Sequence, residues 1–281
     1  MTIRIITDST SDITQKMAKE KNMIVVPLHN LFGDEEFLDG VTITNDEFYQ
    51  RLATSEQLPT TSQPSPDEFL THFMQCKEAK ESVIVLTIAG KLSGTYQSAI
   101  LAKDMCEYED IHIIDSTTTT MGLNILVDYA VKLRDQGKSV QEIVAELEEC
   151  KTRIRVLAVV DTLKYLKKGG RLSATAAIAG TLLNVKPIVK VIDGVVGVAA
   201  KSRGINQANK KLIELIQEEG VMDDEMPYCI GYTADSSVVG PMKELLKDNL
   251  QASNPIIAPM GSTIGVHAGP GACAVGFFVK K

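Results

Sequence analysis

The sequence lacks the signatures of several common functional sites. It has neither a GxxxxGK[ST] phosphate loop nor a GxGxxG segment after a predicted strand, so no nucleotide-binding motif is indicated. Its five cysteines are never in CxxC spacing, and its four histidines are far apart without an HExxH motif, which argues against a zinc site or a disulfide framework. The GxSxG elbow of serine hydrolases is also missing. We therefore expect no metal and no cofactor.

Long apolar runs and excess positive charge are missing too. No run approaches the ~20 residues that a membrane-spanning helix needs, so stable membrane insertion is not expected. The formal net charge of −7, from 36 acidic and 29 basic residues, argues against a nucleic acid as the main partner. The first residues, Met1–Ile6, are typical of a strand and not of a signal peptide. A cytoplasmic protein fits these features best.

The order of the predicted elements indicates an α/β protein with two domains. Up to residue 152, short apolar strands alternate with helices, which predicts a mostly parallel sheet covered by helices on both faces. Residues 153–281 contain a hairpin at Asp193-Gly194, a predicted helix over Ala174–Leu183 and a glycine-rich connection, Gly261–Gly271, between the last two strands. This second half is predicted to be an α+β domain, and the cleft between the domains is the default ligand site.

Polar loops follow three strands of the first predicted sheet. They are Asp8–Asp12, Ala89–Gly94 and Asp115–Thr120. The carboxyl ends of parallel strands meet at one edge of a sheet, where ligands bind, so these loops should lie together. Asp8 and Ser116 are candidate site residues on this argument, although Asp-Ser-Thr after a strand is equally typical of a helix cap.

Two segments combine hydroxyl groups with a restricted backbone. In the first, Pro59–Pro66, the prolines exclude an ordinary helix or a central strand. Thr61 and Ser62 lie within it, and Ser65 or Asp67 could cap the helix that follows. The second segment, Leu92–Ser98, contains Ser93, Gly94 and Thr95 directly after an apolar strand. A solvent-exposed linker could have the first composition, but the two segments together suggest a cradle for a polar group.

His267, Arg171 and Arg203 are further candidates because glycines surround or adjoin them. His267 lies between Gly265 and the run Gly269-Pro270-Gly271, where the lack of side chains lets a ligand or another backbone approach. Each arginine adjoins a glycine and presents a rigid fork that suits a carboxylate or a phosphate. A structural histidine and surface arginines remain the alternatives.

Taken together, these motifs closely resemble those of the DegV family of bacterial fatty-acid-binding proteins, which includes the binding subunits of fatty acid kinase. The matching segments are Thr7-Asp8-Ser9-Thr10-Ser11-Asp12, Thr61-Ser62-Gln63-Pro64, Ser93-Gly94-Thr95-Tyr96-Gln97-Ser98, Lys168-Gly169-Gly170-Arg171-Leu172-Ser173 and His267-Ala268-Gly269-Pro270-Gly271.

The resemblance implies two domains with a fatty acid buried between them. By position, Thr61 and Ser93 would hydrogen-bond the acyl carboxylate, and His267 would belong to the same polar end. Arg203 would lie near the place where the kinase subunit approaches, and Arg171 matches a family arginine. Residues expected near the site are Ser62, Gly94, Thr95, Asp8 and Ser116.

The function that the resemblance implies is that of a carrier, not of an enzyme. The protein would hold a long-chain fatty acid and present its carboxylate to an ATP-dependent fatty acid kinase subunit, which makes acyl phosphate for phospholipid synthesis. One alternative is a serine hydrolase for acyl esters, with Ser93 as nucleophile, His267 as base and Asp8 or Asp115 orienting the histidine. Another is a lipid-responsive regulatory protein without a catalytic partner.

Overall fold

The computed structural model describes residues 2–173 and 184–281. The helix predicted over Ala174–Leu183 lies outside the described residues. The strands are β1 (Ile3–Asp8), β2 (Met23–Val26), β3 (His29–Phe32), β4 (Glu35–Leu38), β5 (Thr60–Ser62), β6 (Ser82–Thr87), β7 (Ile111–Asp115), β8 (Ile154–Val159), β9 (Val185–Ile192), β10 (Val195–Arg203), β11 (Cys229–Tyr232), β12 (Ile256–Pro259) and β13 (Cys273–Phe278).

Helices connect most of these strands. They are α1 (Gln15–Glu20), α2 (Asn45–Thr54), α3 (Pro66–Glu78), α4 (Thr95–Cys106), α5 (Thr120–Asp135), α6 (Val140–Cys150), α7 (Lys164–Lys168), α8 (Ile205–Glu219), α9 (Val239–Leu250) and α10 (Ser262–Ala268), with short 3-10 turns at Ser9–Ser11, Lys151–Arg153 and Ser236–Val238. Within the described part of the chain, no helix is both long and apolar enough to cross a membrane.

The first sheet is parallel, as predicted, with strand order β2-β1-β6-β7. Its central strand β6 is buried along its whole length, which explains the continuous apolar sequence of a strand covered on both faces. Helices α3 and α4 share one apolar cluster with this sheet, and α5 packs on it from the other side. The carboxyl ends of β1, β6 and β7 therefore lie side by side, and the three polar loops share one edge.

The second sheet has six strands in the order β10-β9-β8-β13-β11-β12 and is antiparallel except for the pair β11 and β12. Helices α8 and α9 cover one face. At the β9–β10 turn, Asp193 and Gly194 both have positive φ, 51° and 70°, as the predicted two-residue hairpin requires. The mixed α/β class and the separate, sheet-rich second half are thus confirmed.

Helix α5 lies between the two sheets. It packs against β1 and β6 of the first sheet and against β11 and β13 of the second. The Met121 side chain occupies the space that a side chain at Gly231 would fill, and Met121 backbone atoms occupy that at Gly276, so these two glycines let the helix pack closely on the sheet. One apolar cluster consequently spans both sheets. The domain boundary after residue 152 stays a prediction.

A third, small sheet has the strand order β4-β3-β5. Its strands β3 and β4 form an antiparallel hairpin. Thr60–Ser62 of the proline-rich segment adds an edge strand, a position in a sheet that tolerates prolines. Helix α2 begins with a capping box, in which the Thr44 side chain accepts from Glu47 N and the Glu47 carboxylate accepts from Thr44 N.

Candidate functional site

A cavity of about 300 Å³ lies between the two sheets. Alternate residues of β8 face it and the residues between them face α8 and α9, as the two-residue repeat of a strand dictates. Most of the wall is apolar, which is typical of a small-molecule site. The apolar lining comprises Leu28, Ile88, Leu92, Val156, Ala158, Val160, Leu166, Val189, Val191, Val196, Met260, Ile264, Ala268, Ala272 and Ala274.

One end of the cavity is polar and contains the three residues predicted to bind a carboxylate. Thr61, Ser93 and His267 all line the cavity, together with Ser62 and Arg171. Thr61 Oγ1 lies 3.1 Å from His267 Nε2, so edge strand β5 meets the last turn of α10 there. The sequence predicted the participating residues of this end but not the helix, because Gly261–Gly271 contains too many glycines and β-branched residues to suggest one.

Ser93 reaches the cavity from the loop between β6 and α4. Its Oγ lies 2.9 Å from Thr95 Oγ1, at the N-terminus of α4, where backbone N–H groups favour a negative charge. Gly94, between them, is in close contact with Gln63, and a side chain at position 94 would overlap the Gln63 amide. Gly94 and Thr95 thus shape the loop without lining the cavity themselves.

His267 is largely buried, and this changes its charge state. Burial, assisted by the nearby positive charge of Arg171, lowers the pKa of His267 to about 4. The imidazole is therefore neutral at neutral pH and donates one hydrogen bond. Its Nδ1 lacks a hydrogen-bond partner among the described residues and faces Gly169, where a side chain would overlap the ring. Gly169 therefore allows the histidine to take this position.

Arg171 lies at the rim of the polar end. Its guanidinium donates to the Leu92 carbonyl at 3.2 Å and to the Gly169 carbonyl at 2.7 Å. A smaller pocket, of about 210 Å³, shares Thr61, Arg171 and His267 with the cavity and is also lined by Lys168. The three side chains thus border both spaces, and two cationic residues line the smaller one.

The other candidates lie away from the cavity wall. Asp8 is fully buried and accepts hydrogen bonds from Thr10 N, Thr10 Oγ1 and Ile88 N; burial raises its pKa to about 6. It therefore has the capping role that was the alternative. Ser116 is bonded within its own loop, to Thr118. Arg203 is exposed at the end of β10 and does not line the cavity.

The geometry of the alternative hydrolase is not formed in the described residues. Ser93 Oγ pairs with Thr95 and His267 Nε2 with Thr61, so the serine and the histidine are not hydrogen-bonded to each other. The carboxylate of Asp8 accepts from its own loops, and so does that of Asp115, which accepts from Gly90 N and Thr117 N. Neither carboxylate orients the imidazole.

Sequence reasoning missed several residues of the site. Thr10, Gln63, Thr119, Thr120 and Thr263 line the cavity but were not singled out. The first four belong to segments that were recognised as polar loops, so choosing by loop position, and not only by resemblance, would have found them. The valines and alanines of the lining could not be identified, because a strand pattern does not show which sheet face borders a cavity.

The fold and the cavity define a class of mixed α/β protein in which two sheets enclose an apolar cavity with one polar end. The chain belongs to the DegV family: a sequence model described as "Uncharacterised protein, DegV family" matches residues 2–280. The family predicted from the motifs is thereby confirmed. A DegV domain-containing protein of Caldanaerobacter subterraneus is 38% identical, over 99% of each chain.

Solved structures of the same fold include fatty-acid-binding members. The chain is similar to a DegV family protein from Thermus thermophilus, described by its fatty acid binding, with 31% identity, a TM-score of 0.90 and complete coverage of both chains. It is also similar to a stearic acid-binding protein from Eubacterium ventriosum, with 28% identity and a TM-score of 0.90 over 98% of each chain.

Proposed function

We propose that this protein binds one long-chain fatty acid, with its tail in the cavity and its carboxylate at Thr61, Ser93 and His267. The observation that carries the proposal is the composition of the cavity, whose wall is mostly apolar and whose polar end contains Thr61 hydrogen-bonded to His267. An amphiphile with a single polar group matches that division. The fatty acids bound by the two structural relatives support the same ligand class.

The energetics favour a long tail held by a small polar site. Burying a tail of ~15 methylenes gains roughly 12 kcal/mol at about 0.8 kcal/mol per methylene. Much of this gain is lost to ordering and association. An unpaired buried carboxylate would cost several kcal/mol, so hydrogen-bond donors must meet it. Two hydroxyls and a neutral imidazole can do so, and the positive charge of Arg171 at the rim adds to the attraction.

Native mass spectrometry of the purified protein tests this function first. We expect a mass increase that corresponds to one fatty acid per chain, and solvent extraction should release the acid for identification. Protein stripped of lipid should take up palmitate or oleate in a titration. A protein that is empty after purification and takes up neither acid would overturn the proposal.

We further propose that the bound carboxylate is presented to an ATP-dependent kinase subunit in the cytoplasm. Attack of a carboxylate oxygen on the γ-phosphorus of ATP would give acyl phosphate and ADP. The chain has no nucleotide-binding motif of its own, which is consistent with a separate nucleotide-binding partner. Supporting this step are the polar end of the cavity, which shares Thr61, Arg171 and His267 with a second pocket lined by Lys168, and the resemblance to kinase binding subunits.

Reconstitution tests the partnership. The loaded protein, a kinase subunit and ATP should yield acyl phosphate, trapped with hydroxylamine as the hydroxamate, and omission of any one component should abolish the product. Loaded protein that binds a kinase subunit in a pull-down but gives no hydroxamate would contradict phosphoryl transfer. Loaded protein that captures no kinase subunit would favour a lipid-responsive regulatory role.

A further inference from the structure

Helix α10, which carries His267, is too short and too poor in helix-forming residues to be stable by itself. It has seven residues, among them Thr263, Ile264, Gly265 and Val266, all of low helix propensity. Isolated helices of this length do not form in water. Its first position is preceded by Gly261, which has no side chain with which to cap the free N–H groups. Contacts from elsewhere in the fold must therefore hold it in place.

Asp39, from the loop after β4, supplies the missing cap. Its Oδ1 accepts from Ser262 N at 2.9 Å and from Ser262 Oγ at 2.6 Å, and its Oδ2 accepts from Thr263 N at 3.3 Å. A Cβ at position 261 would lie 3.0 Å from Asp39 Oδ1, so glycine at this position leaves room for the carboxylate. The capping residue is thus 223 positions away from Ser262 in the sequence, whereas an ordinary helix cap directly precedes its helix.

A second carboxylate continues the same contact. Asp12 Oδ1 accepts from Gly261 N at 2.7 Å, and its Oδ2 accepts from Thr120 Oγ1 at 2.5 Å. Asp12 is 4% exposed and Asp39 3% exposed, and neither forms an ion pair within residues 2–173 and 184–281. Their buried carboxyl groups accept hydrogen bonds from N–H groups and hydroxyls within the described residues, and most of these donors belong to the start of α10.

Asn30 connects this contact to Thr61. Its side-chain amide donates to Ser262 Oγ at 2.8 Å, while its backbone lies opposite Thr61 in the β3–β5 pair. Asn30 is completely buried. The two partners of the Thr61–His267 hydrogen bond are thus held through β3, which pairs with β5 and contacts the start of α10 through the Asn30 side chain.

We propose that Asp39, together with Asn30, is a positioning residue of the fatty acid site, which sets the orientation of His267 by fixing the N-terminus of α10. The inference rests on the proposed function only where palmitate affinity is measured. Asp39 contacts neither the cavity nor His267, so its effect must pass through the helix.

A double-mutant cycle distinguishes this role from a general loss of stability. Asp39→Asn should lower palmitate affinity about tenfold in the wild-type background and less than about twofold in a His267→Ala background, because only residues that act together show such coupling. Equal losses in both backgrounds would overturn the proposal. Ser262→Ala, which removes only one hydroxyl from the contact, is the milder variant should Asp39→Asn fail to fold, and the same coupling is expected.

Asp235→Asn provides the matched control. Asp235 also bonds a serine N–H and hydroxyl, those of Ser237, at the start of the Ser236–Val238 turn that leads into α9. We expect unchanged palmitate affinity in this variant. A loss as large as that of Asp39→Asn would show that any weakened cap has the same effect and would contradict the proposal.

The histidine itself gives a readout that needs no ligand. In an NMR titration of the ligand-free protein, the His267 imidazole should titrate near its pKa of about 4, and Asp39→Asn should move that pKa toward 6.5 as the ring becomes more exposed. An unmoved titration would overturn the positioning role. Because this measurement is made without fatty acid, it remains decisive if the wild-type protein binds none and the proposed function fails.

Discussion

Thr61 and His267 are 206 residues apart in the sequence, yet Thr61 Oγ1 and His267 Nε2 lie 3.1 Å apart at the polar end of the cavity. One residue belongs to an edge strand of the small sheet and the other to the last turn of α10. The site therefore exists only when both ends of the chain are folded, and each of its parts can be tested by substitution.

Removing either cavity hydroxyl should weaken fatty acid binding. Thr61→Val preserves the shape of the side chain and deletes the hydroxyl. Ser93→Ala deletes the hydroxyl in the loop between β6 and α4. We expect each to cost about 1–3 kcal/mol of binding free energy, measured by titration with a fluorescent fatty acid. Thr60→Val, on the same strand but exposed, is the control and should leave affinity unchanged. Wild-type affinity in Thr61→Val would exclude Thr61 from the carboxylate site.

A methyl group at position 169 should displace His267. The Cβ of Gly169→Ala would overlap the imidazole at Nδ1, so the ring must move away from Thr61. We expect palmitate affinity to fall about tenfold, equivalent to about 1.4 kcal/mol, while the circular dichroism spectrum is retained because the nearest atom outside the imidazole, the Tyr165 carbonyl oxygen, is 3.2 Å away. The control is Gly240→Ala in α9, where a Cβ meets no atom within 4 Å. If Gly169→Ala binds normally, the position of the imidazole is not important for affinity.

Protonation of His267 should contribute to instability in acid. Its pKa is about 4 in the folded protein against 6.5 ordinarily, so between these values the unfolded chain binds a proton that the folded chain does not. This contribution to stability is complete above pH 6.5 and decreases as the pH falls toward 4. His267→Gln should reduce the difference in unfolding free energy between pH 7 and pH 5 by about 1–2 kcal/mol.

Urea denaturation at the two pH values checks this prediction. The comparison with the wild type is needed because Asp8, whose pKa burial raises to about 6, changes stability in the opposite direction over nearly the same range. An identical pH dependence in both proteins would mean that His267 is not buried in its neutral form.

Arg203→Ala should separate binding from phosphoryl transfer. Arg203 is exposed and does not line the cavity, so palmitate affinity should stay within about twofold of the wild type. In the reconstituted kinase assay we expect a loss of about tenfold or more in acyl phosphate formation, because the proposed docking of the kinase subunit involves this arginine. The control is Lys243→Ala, which removes a different exposed cation, on α9. Equal losses of affinity and phosphorylation would contradict a docking role.

Filling the cavity wall should change the preferred chain length. Ala158 and Ala274 are paired across β8 and β13 and both line the cavity. Ala158→Leu adds three carbons to this wall, so competition binding should shift from stearate toward laurate. Ala79→Leu, at an exposed helix end, should not alter the ranking. An unchanged preference would place the tail away from these strands.

Elements whose structure is decided by local sequence were predicted correctly. Apolar strands followed by polar loops predicted the parallel sheet, and Asp193-Gly194 predicted the β9–β10 turn with positive φ at both residues. Resemblance in the motifs identified Thr61, Ser93 and His267, which line one cavity. Helix α10 was not predicted, because its sequence has no helix propensity of its own and its cap, Asp39, comes from another part of the chain.

Because α5 packs against both sheets, the two halves of the protein are difficult to separate by engineering. Met121 fits against two glycines of the second sheet while the same helix covers the first, so cutting the chain after α6 would expose apolar surface on both fragments. Neither half is therefore suited to use as a separate unit. Any attempt to graft the cavity onto another scaffold must transfer both sheets with the helix between them.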